Sequence, residues 1–107
     1  MPLFGQPGER ISYEVHARDG GAPVLLLVHG FTASSASFLS NIDGLSERFT
    51  VLTVELLGHG SSDAPQESAS YAPDQAIARI AALLDELGFD EVLVCGHSLG
   101  GALALRM

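Results

Sequence analysis

Residues Glu91–Met107 read E-V-L-V-C-G-H-S-L-G-G-A-L-A-L-R-M, and this stretch decides the fold. It opens with a short apolar run, Val92–Cys95, that is rich in β-branched residues and typical of a strand buried on both faces. Gly96–Gly100 follows directly in the pattern G-x-S-x-G, and Ala102–Met107 consists mostly of strong helix formers. The order strand, G-x-S-x-G, helix predicts a sharp turn that presents Ser98 at the end of a sheet.

The residue types around Ser98 suit a nucleophile. We expect a strained backbone at Ser98, and glycine at positions 96 and 100 because close neighbouring backbone leaves no room for a Cβ atom. Ser98 would lie beside a helix N-terminus, whose unpaired N–H groups and dipole favour developing negative charge. The N–H of Leu99 could then donate to an oxyanion. A glycine-rich turn with an inert serine would show the same local pattern, so the rest of the chain has to separate the two readings.

The overall composition excludes several classes of partner. With 107 residues the chain is one domain at most, and a hydrophobic fraction of 47% can supply a core. The formal net charge is −8. This charge argues against nucleic acid or an anionic membrane as a partner, because both need a basic patch.

The single cysteine and the hydropathy pattern indicate in which cellular compartment the protein is expected. Cys95 excludes an internal disulfide and fits a reducing environment, and we expect it to be buried and inert in its apolar strand. No basic-then-apolar leader opens the sequence, and no apolar run approaches the roughly 18 residues of a membrane span. We therefore expect a cytoplasmic location.

Strands and helices alternate along the chain. Hydrophobic periodicity and turn residues predict the following elements: strands at Arg10–Ala17, Pro23–Val28 and Phe49–Glu55, a helix from about Ser34 to Arg48, and a helix from Pro73 that stops at Gly88. This alternation predicts a three-layer α/β/α domain with a mostly parallel sheet. Ligands in such sheets bind beyond the carboxyl ends of the strands. The loops at His29, Gly58 and Gly96 all follow strands, so we expect them to converge on one active-site face.

These three loops carry motifs that resemble a known family. The motifs are H-G-F-T at His29–Thr32, G-H-G-S-S-D at Gly58–Asp63 and G-H-S-L-G-G at Gly96–Gly101. In order and spacing they resemble the serine-nucleophile branch of the α/β-hydrolase superfamily. The resemblance implies an α/β-hydrolase fold truncated after the nucleophile elbow. Residues 1–107 would then be the N-terminal part of a single α/β-hydrolase domain whose C-terminal part is absent.

The resemblance also assigns roles by position. Ser98 matches the catalytic nucleophile, and the backbone N–H groups of Phe31 and Leu99 match the oxyanion-hole donors. The matching positions with a supporting role, structural or pocket-lining, are His29, Gly30, His59, Gly96, His97 and Gly100. Serine at position 98 argues against the dehalogenase and epoxide-hydrolase branches, which place Asp there.

The catalytic acid and base are expected outside this chain. The triad order on this fold is Ser, then Asp or Glu, then His, and the elbow lies close to Met107. His97 is adjacent to Ser98 in sequence, but its side chain should point elsewhere. We therefore expect residues 1–107 alone to be catalytically inert and poorly stable, with an exposed hydrophobic flank beside Val92–Cys95.

Three functions remain open. The first is a serine hydrolase that acts on an ester or related acyl bond of a small molecule, with no cofactor or metal because the four His and the single Cys show no ligand spacing. The second is a pyruvate-eliminating lyase of menaquinone biosynthesis that uses the same triad. Leu57–Pro65 and Tyr71 resemble the 2-succinyl-6-hydroxy-2,4-cyclohexadiene-1-carboxylate synthases, although those enzymes commonly carry Arg where this chain has Ala102. The third is a non-catalytic α/β binding domain, and the oligomeric state is open in all three.

Overall fold

A computed structural model describes residues 2–17 and 21–107. Within these residues one sheet contains five strands in the order β1-β2-β4-β3-β5. The strands are β1 Leu3–Phe4, β2 Ile11–His16, β3 Val24–Val28, β4 Thr50–Glu55 and β5 Val92–Gly96. Strands β3, β4 and β5 run parallel, whereas β2 pairs antiparallel with both β1 and β4. The predicted mostly parallel sheet is confirmed, and its antiparallel part lies at one edge.

The helices follow the predicted pattern with one shortening. They are α1 Leu39–Leu45, α2 Pro73–Leu87 and α3 Leu99–Arg106. Helix α2 has Pro in its first turn and ends at Gly88 in the left-handed conformation, with φ 75°. The helix predicted from Ser34 to Arg48 is shorter, because the chain first forms a 3₁₀ turn at Ser35–Phe38. Serine and asparagine compete with the helical backbone by local hydrogen bonding, which favours such a tight turn over a full α-helix.

Two hydrophobic clusters lie on opposite faces of the sheet and define three layers. On one face the central strands β3 and β4 pack against Ile80 and Leu83 of α2 and Leu103 of α3. On the other face a smaller cluster around Leu27 packs against Leu45 of α1. The predicted α/β/α architecture is therefore confirmed. No helix in the described part of the chain is long and apolar enough to cross a membrane.

Strand β5 lies at an edge of the sheet, and this position corrects two expectations. Leu93 is 54% exposed and Cys95 is also exposed, so β5 is not buried on both faces and the thiol is not buried. Leu93 and Cys95 are paired in register with Leu25 and Leu27 and therefore share their face. On that face, Leu45 of α1 and Phe38 of the preceding 3₁₀ turn pack against Leu25 and Leu27 of the central strands. The expected exposed hydrophobic flank beside Val92–Cys95 is present.

Candidate active site

Ser98 occupies a sharp turn between β5 and α3. Its backbone has φ 57° and ψ −113°, a strained combination for a residue with a side chain. Strain of this kind costs on the order of 1–3 kcal/mol and persists only where the surroundings hold it. The His97 N–H donates to the Val28 carbonyl at 3.0 Å, and the Gly100 N–H donates to the His97 carbonyl at 3.0 Å. These bonds fix the turn to the end of β3 and leave Ser98 exposed at the carboxyl end of β5.

The glycines of the G-x-S-x-G motif are required by close backbone packing. A Cβ atom at Gly96 would overlap the carbonyl of Gly100, and a Cβ atom at Gly100 would overlap the carbonyl of Val28. Gly30, in the loop after β3, also packs against the turn that carries Ser98, although less tightly than Gly96 and Gly100 do against their neighbours. A Cβ atom there would lie 3.2 Å from the Cβ of Ser98. The structure thus brings the His29–Thr32 and Gly96–Gly101 motifs into direct contact.

The two predicted oxyanion donors flank this contact. Leu99 is the first residue of α3, and Phe31 directly follows Gly30. Among residues 2–17 and 21–107, neither the Phe31 N–H nor the Leu99 N–H donates to a protein acceptor. The N–H groups at the start of a helix also carry partial positive charge. Both donors are therefore available to a ligand beside Ser98.

His29 is fully buried and holds the loop after β3. Its Nε2 accepts a hydrogen bond from the Leu56 N–H at 3.0 Å, and its Nδ1 lies 2.7 Å from the Gly30 carbonyl oxygen. Because Nε2 is an acceptor, the hydrogen-bond network assigns the proton to Nδ1, which donates to Gly30. Burial lowers the pKa of His29, although the bond to the Gly30 carbonyl acts in the opposite direction. His29 is thus a neutral structural imidazole.

His59, in the loop after β4, makes the same pair of interactions with other partners. Its Nε2 accepts from the Thr32 N–H at 3.0 Å, and its Nδ1 lies 2.9 Å from the Leu57 carbonyl oxygen. The ring centroids of His59 and His29 are 4.9 Å apart, and Phe31 contacts His59 edge-on at 5.8 Å. The loops after β3 and β4 are therefore joined through two imidazoles.

Glu55 is a site residue that the sequence analysis missed. It ends β4, is 4% exposed, and its carboxylate accepts from the Ser12 hydroxyl at 2.6 Å and the Ser61 N–H at 2.9 Å. It also accepts from the N–H and the hydroxyl of Ser35, each at 3.2 Å. Burial opposes ionisation of Glu55, but these hydrogen bonds outweigh it and lower the pKa. A Cβ atom at Gly60 would overlap this carboxylate, which explains the glycine. The signal in the sequence that could have identified Glu55 is its position as a lone acidic residue between an apolar strand and a Gly-rich loop.

An apolar cavity of about 160 Å³ lies beside the loop after β3 and the start of α3. Phe31 and Leu99 border it, and residues of β4, α2 and α3 form most of its wall. His59 and Tyr71 reach it from the loops. The cavity has room for a small apolar group next to the backbone N–H groups described above.

The described residues supply no general base to Ser98. In residues 2–17 and 21–107, the Ser98 hydroxyl forms no hydrogen bond, and neither His97 nor any other imidazole is bonded to it. The same residues contain no group of three or more His, Cys, Asp or Glu side chains that could hold a metal ion. The arrangement offers an exposed serine hydroxyl beside the backbone N–H groups of Phe31 and Leu99, without a base bonded to that hydroxyl in the described residues.

Comparison with known proteins agrees with this geometry. Residues 23–107 match the alpha/beta hydrolase fold family. The chain is 37% identical over 97 residues to Epoxide hydrolase 4 of Mus musculus, covering 91% of this chain and 27% of that protein. It is 39% identical over 94 residues to 2-(acetamidomethylene)succinate hydrolase of Mesorhizobium japonicum, covering 85% of this chain and 32% of that protein.

A solved structure shares the fold closely. The enol-lactonase of Burkholderia xenovorans LB400 superposes with a TM-score of 0.86 at 27% identity, covering 95% of this chain and 39% of that chain. The chain thus spans between 27% and 39% of the length of these three relatives. From the family match and the three loop motifs in order, the chain belongs to the alpha/beta hydrolase fold family.

Proposed function

We propose that the protein carrying this chain is a serine hydrolase that cleaves an ester or related acyl bond of a small-molecule substrate. One observation carries the proposal: the exposed Ser98 sits on a strained turn beside the N–H groups of Phe31 and Leu99, which donate to no acceptor within the described residues. Membership of a hydrolase family supports hydrolysis, and the likeness to an enol-lactonase favours an acyl bond, since a lactone is a cyclic ester.

The proposed mechanism assigns each residue a step. The Ser98 hydroxyl oxygen attacks the carbonyl carbon, and its proton passes to a histidine that lies outside residues 1–107 and is oriented by an acid. The oxyanion accepts hydrogen bonds from Phe31 and Leu99, each worth roughly 100- to 1,000-fold in kcat. The intermediate collapses, the leaving alcohol takes the proton from the histidine, and water then hydrolyses the acyl-enzyme by the same sequence of steps.

The cavity and the net charge limit the classes of substrate and partner that we propose. The apolar cavity bordered by Phe31 and Leu99 could receive a small apolar group of the substrate. The net charge of −8 disfavours nucleic acid and anionic membrane as partners. We retain from the sequence the proposals of a cytoplasmic location and of catalysis without a cofactor.

Two other chemistries use the same face. Tyr71, which contacts Gly58 and lines the cavity, supports the lyase hypothesis. Ala102 argues against that hypothesis, because it supplies no cation for a polyanionic substrate. The likeness to Epoxide hydrolase 4 suggests the hydrolysis of an epoxide as another candidate reaction. Attack of Ser98 on an epoxide would, however, form an ether that water cannot hydrolyse, whereas attack on an acyl carbon forms a hydrolysable ester.

A fluorophosphonate probe tests the proposal in the intact protein. We expect the probe to label the wild type and the Ser40→Ala variant, which changes an exposed serine on α1, but not Ser98→Ala. Aryl esters, the menaquinone-pathway intermediate and an epoxide then separate the three reactions, and we expect turnover of the esters alone. An unlabelled wild type would instead favour a non-catalytic binding domain.

A further inference from the structure

We propose that the apolar cavity receives the acyl chain of the substrate, and that this chain is uncharged and extends no more than about six carbon atoms beyond the carbonyl. The residue whose size sets this limit is Ala76 on α2. This inference rests on the proposed function and deepens it, because it names the substrate class of the same site.

The cavity begins at the two N–H groups to which we assign the oxyanion. Phe31 and Leu99 both line it. Leu99 follows Ser98 directly, and consecutive Cα atoms are only about 3.8 Å apart. A carbonyl group whose oxygen accepts from these N–H groups therefore lies between the Ser98 hydroxyl and the cavity. One of the two substituents of its carbon atom can then extend into the cavity.

The acyl chain suits the cavity better than the leaving alcohol does. The leaving oxygen takes its proton from the catalytic histidine, which we expect outside residues 1–107. His59 is the histidine among the described lining residues, and its ring nitrogens are engaged with the Thr32 N–H and the Leu57 carbonyl. The leaving alcohol therefore has to face away from the cavity, and the acyl chain is the substituent that enters it.

The volume of the cavity limits the length of the chain. Benzene, with six carbon atoms, binds in an engineered protein cavity of about 150 Å³ lined by aliphatic and aromatic side chains. The cavity beside Leu99 has a similar volume, about 160 Å³, and Ile11, Ile80 and Leu103 of the hydrophobic core form part of its wall. It thus has room for a hexanoyl chain but not for a decanoyl chain.

The polar side chains of the lining are already bonded to the protein. The Ser70 hydroxyl donates to Glu9 at 2.9 Å, and the Tyr71 hydroxyl donates to the Pro65 carbonyl. Glu55 accepts from the three serines described above, at positions 12, 35 and 61. The described lining therefore presents no hydroxyl or carboxylate that lacks a partner, and an apolar group fits it best.

The charges of the wall disfavour a carboxylate in the cavity. The Arg79 guanidinium donates to the Ser70 carbonyl at 2.8 Å and lies 3.4 Å from a carboxylate oxygen of Glu9, which offsets its charge. Glu55 adds a negative charge to the lining. A substrate carboxylate would leave water without an unpaired cation in the described lining to receive it, which is costly. The substrate class is therefore an ester of a short, uncharged aliphatic or aromatic acid.

The chain-length dependence of the intact protein is the first test. With aryl esters we expect kcat/KM to rise by about fourfold for each methylene from acetyl to hexanoyl, because each buried methylene adds hydrophobic free energy, and to fall at decanoyl. Lengthening the alcohol from methyl to hexyl should give no such rise. A rise with the alcohol instead of the acyl chain would overturn the inference.

Ala76→Leu tests where the acyl chain lies. Ala76 lines the cavity and packs against the hydrophobic core, so a larger side chain takes up part of the volume. We expect kcat/KM for the hexanoyl ester to fall by about 10- to 100-fold and that for the acetyl ester to change by less than about twofold. The melting temperature should not fall, because the leucine fills a cavity.

Ala78→Leu is the matched control for this substitution. Ala78 is exposed on the same helix and does not line the cavity, so the same change should leave the chain-length profile as in the wild type. Identical profiles in Ala76→Leu and Ala78→Leu would contradict the assignment of Ala76.

Two esters of nearly equal shape test the exclusion of charge. Methyl 4-methylpentanoate and monomethyl succinate differ chiefly in that a carboxylate replaces a branched pair of methyl groups. Near neutral pH we expect kcat/KM to be about 100-fold or more lower for monomethyl succinate. Equal rates would show that the substrate class is not limited to uncharged acids. This comparison uses the wild type and does not depend on the folding of a variant.

Benzene binding separates the inference from the proposed function. We expect benzene to raise the melting temperature of the wild type, of Ser98→Ala and of Ala78→Leu, but not of Ala76→Leu. If the wild type hydrolyses no ester, the proposed function fails, and this binding still decides whether the cavity takes an apolar ligand. A wild type whose melting temperature does not respond to benzene would overturn the inference in either case.

Discussion

Gly30 packs against Ser98 so closely that a methyl group at position 30 would fit only if its neighbours moved by a few tenths of an ångström. A Cβ atom at position 30 would lie 3.2 Å from the Cβ of Ser98 and 3.1 Å from the carbonyl oxygen of His97. The loop that carries Phe31 and the turn that carries the serine are therefore in close van der Waals contact at this point. A displacement on either side would change the distance between the Ser98 hydroxyl and the Phe31 N–H, the pair to which we assign the reaction.

The Gly30→Ala variant should lose activity more than stability. The added carbon forces the two loops slightly apart, and a misplacement of about 1 Å can cost roughly 100-fold in rate. For a smaller displacement we expect a decrease of about tenfold in kcat on an aryl ester and a loss of about 1 kcal/mol in the free energy of unfolding.

Gly44→Ala is the matched control for this substitution. Gly44 lies in α1, and a Cβ atom there would meet nothing within 4 Å. We expect unchanged kcat and a gain of about 0.5–1 kcal/mol in the free energy of unfolding, because alanine favours a helix over glycine. Equal activity in Gly30→Ala and Gly44→Ala would contradict the close packing inferred at Gly30.

Glu55→Gln should destabilise the fold in a pH-dependent way. The amide keeps the shape of the carboxylate but turns an NH₂ group toward the donors of Ser61 or Ser35, at a cost of about 1–3 kcal/mol. The folded-state pKa of Glu55 is lowered from its ordinary value of 4.5, so its stabilising contribution is complete above that value and is lost as the pH falls through the folded-state pKa. The difference in unfolding free energy between wild type and variant should therefore be largest near pH 7 and shrink below pH 4.5.

Urea unfolding at several pH values measures this difference. The control is Glu86→Gln, an exposed position on α2, which should change stability little at any pH. A constant difference between wild type and Glu55→Gln from pH 7 to about 4 would show that the charge of Glu55 does not matter.

Leu93→Lys should reduce self-association of the 107-residue chain. Leu93 is 54% exposed on the edge strand β5, and an exposed apolar edge is a template for pairing with another chain. A lysine there places charge on the edge without removing a buried contact, so we expect an unchanged melting temperature and a smaller concentration-dependent mass by light scattering.

Leu25→Lys provides the contrast for Leu93→Lys. Leu25 is the register partner of Leu93 on β3 and is only 9% exposed. We expect this second variant to unfold, because the lysine charge would be buried without a partner. If Leu93→Lys associates as strongly as the wild type, the β5 edge is not the surface responsible.

The sequence by itself determined the elements whose signals are local. The apolar run before G-x-S-x-G, the Pro at the start of α2 and the Gly at its end each act through the chain beside them, and the helix and strand bounds follow closely. The glycines around Ser98 were also readable, because a strand-to-helix turn demands them wherever it occurs. The alternation of strands and helices was sufficient for the three layers.

Only the tertiary structure decided which polar groups meet. Glu55 is buried because Ser12 and Ser61 supply donors from other segments. The Thr32 N–H meets His59 across 27 positions of sequence. Such contacts are set by the packing of loops at the sheet end, where the pattern of hydrophobicity carries no information about hydrogen-bond direction.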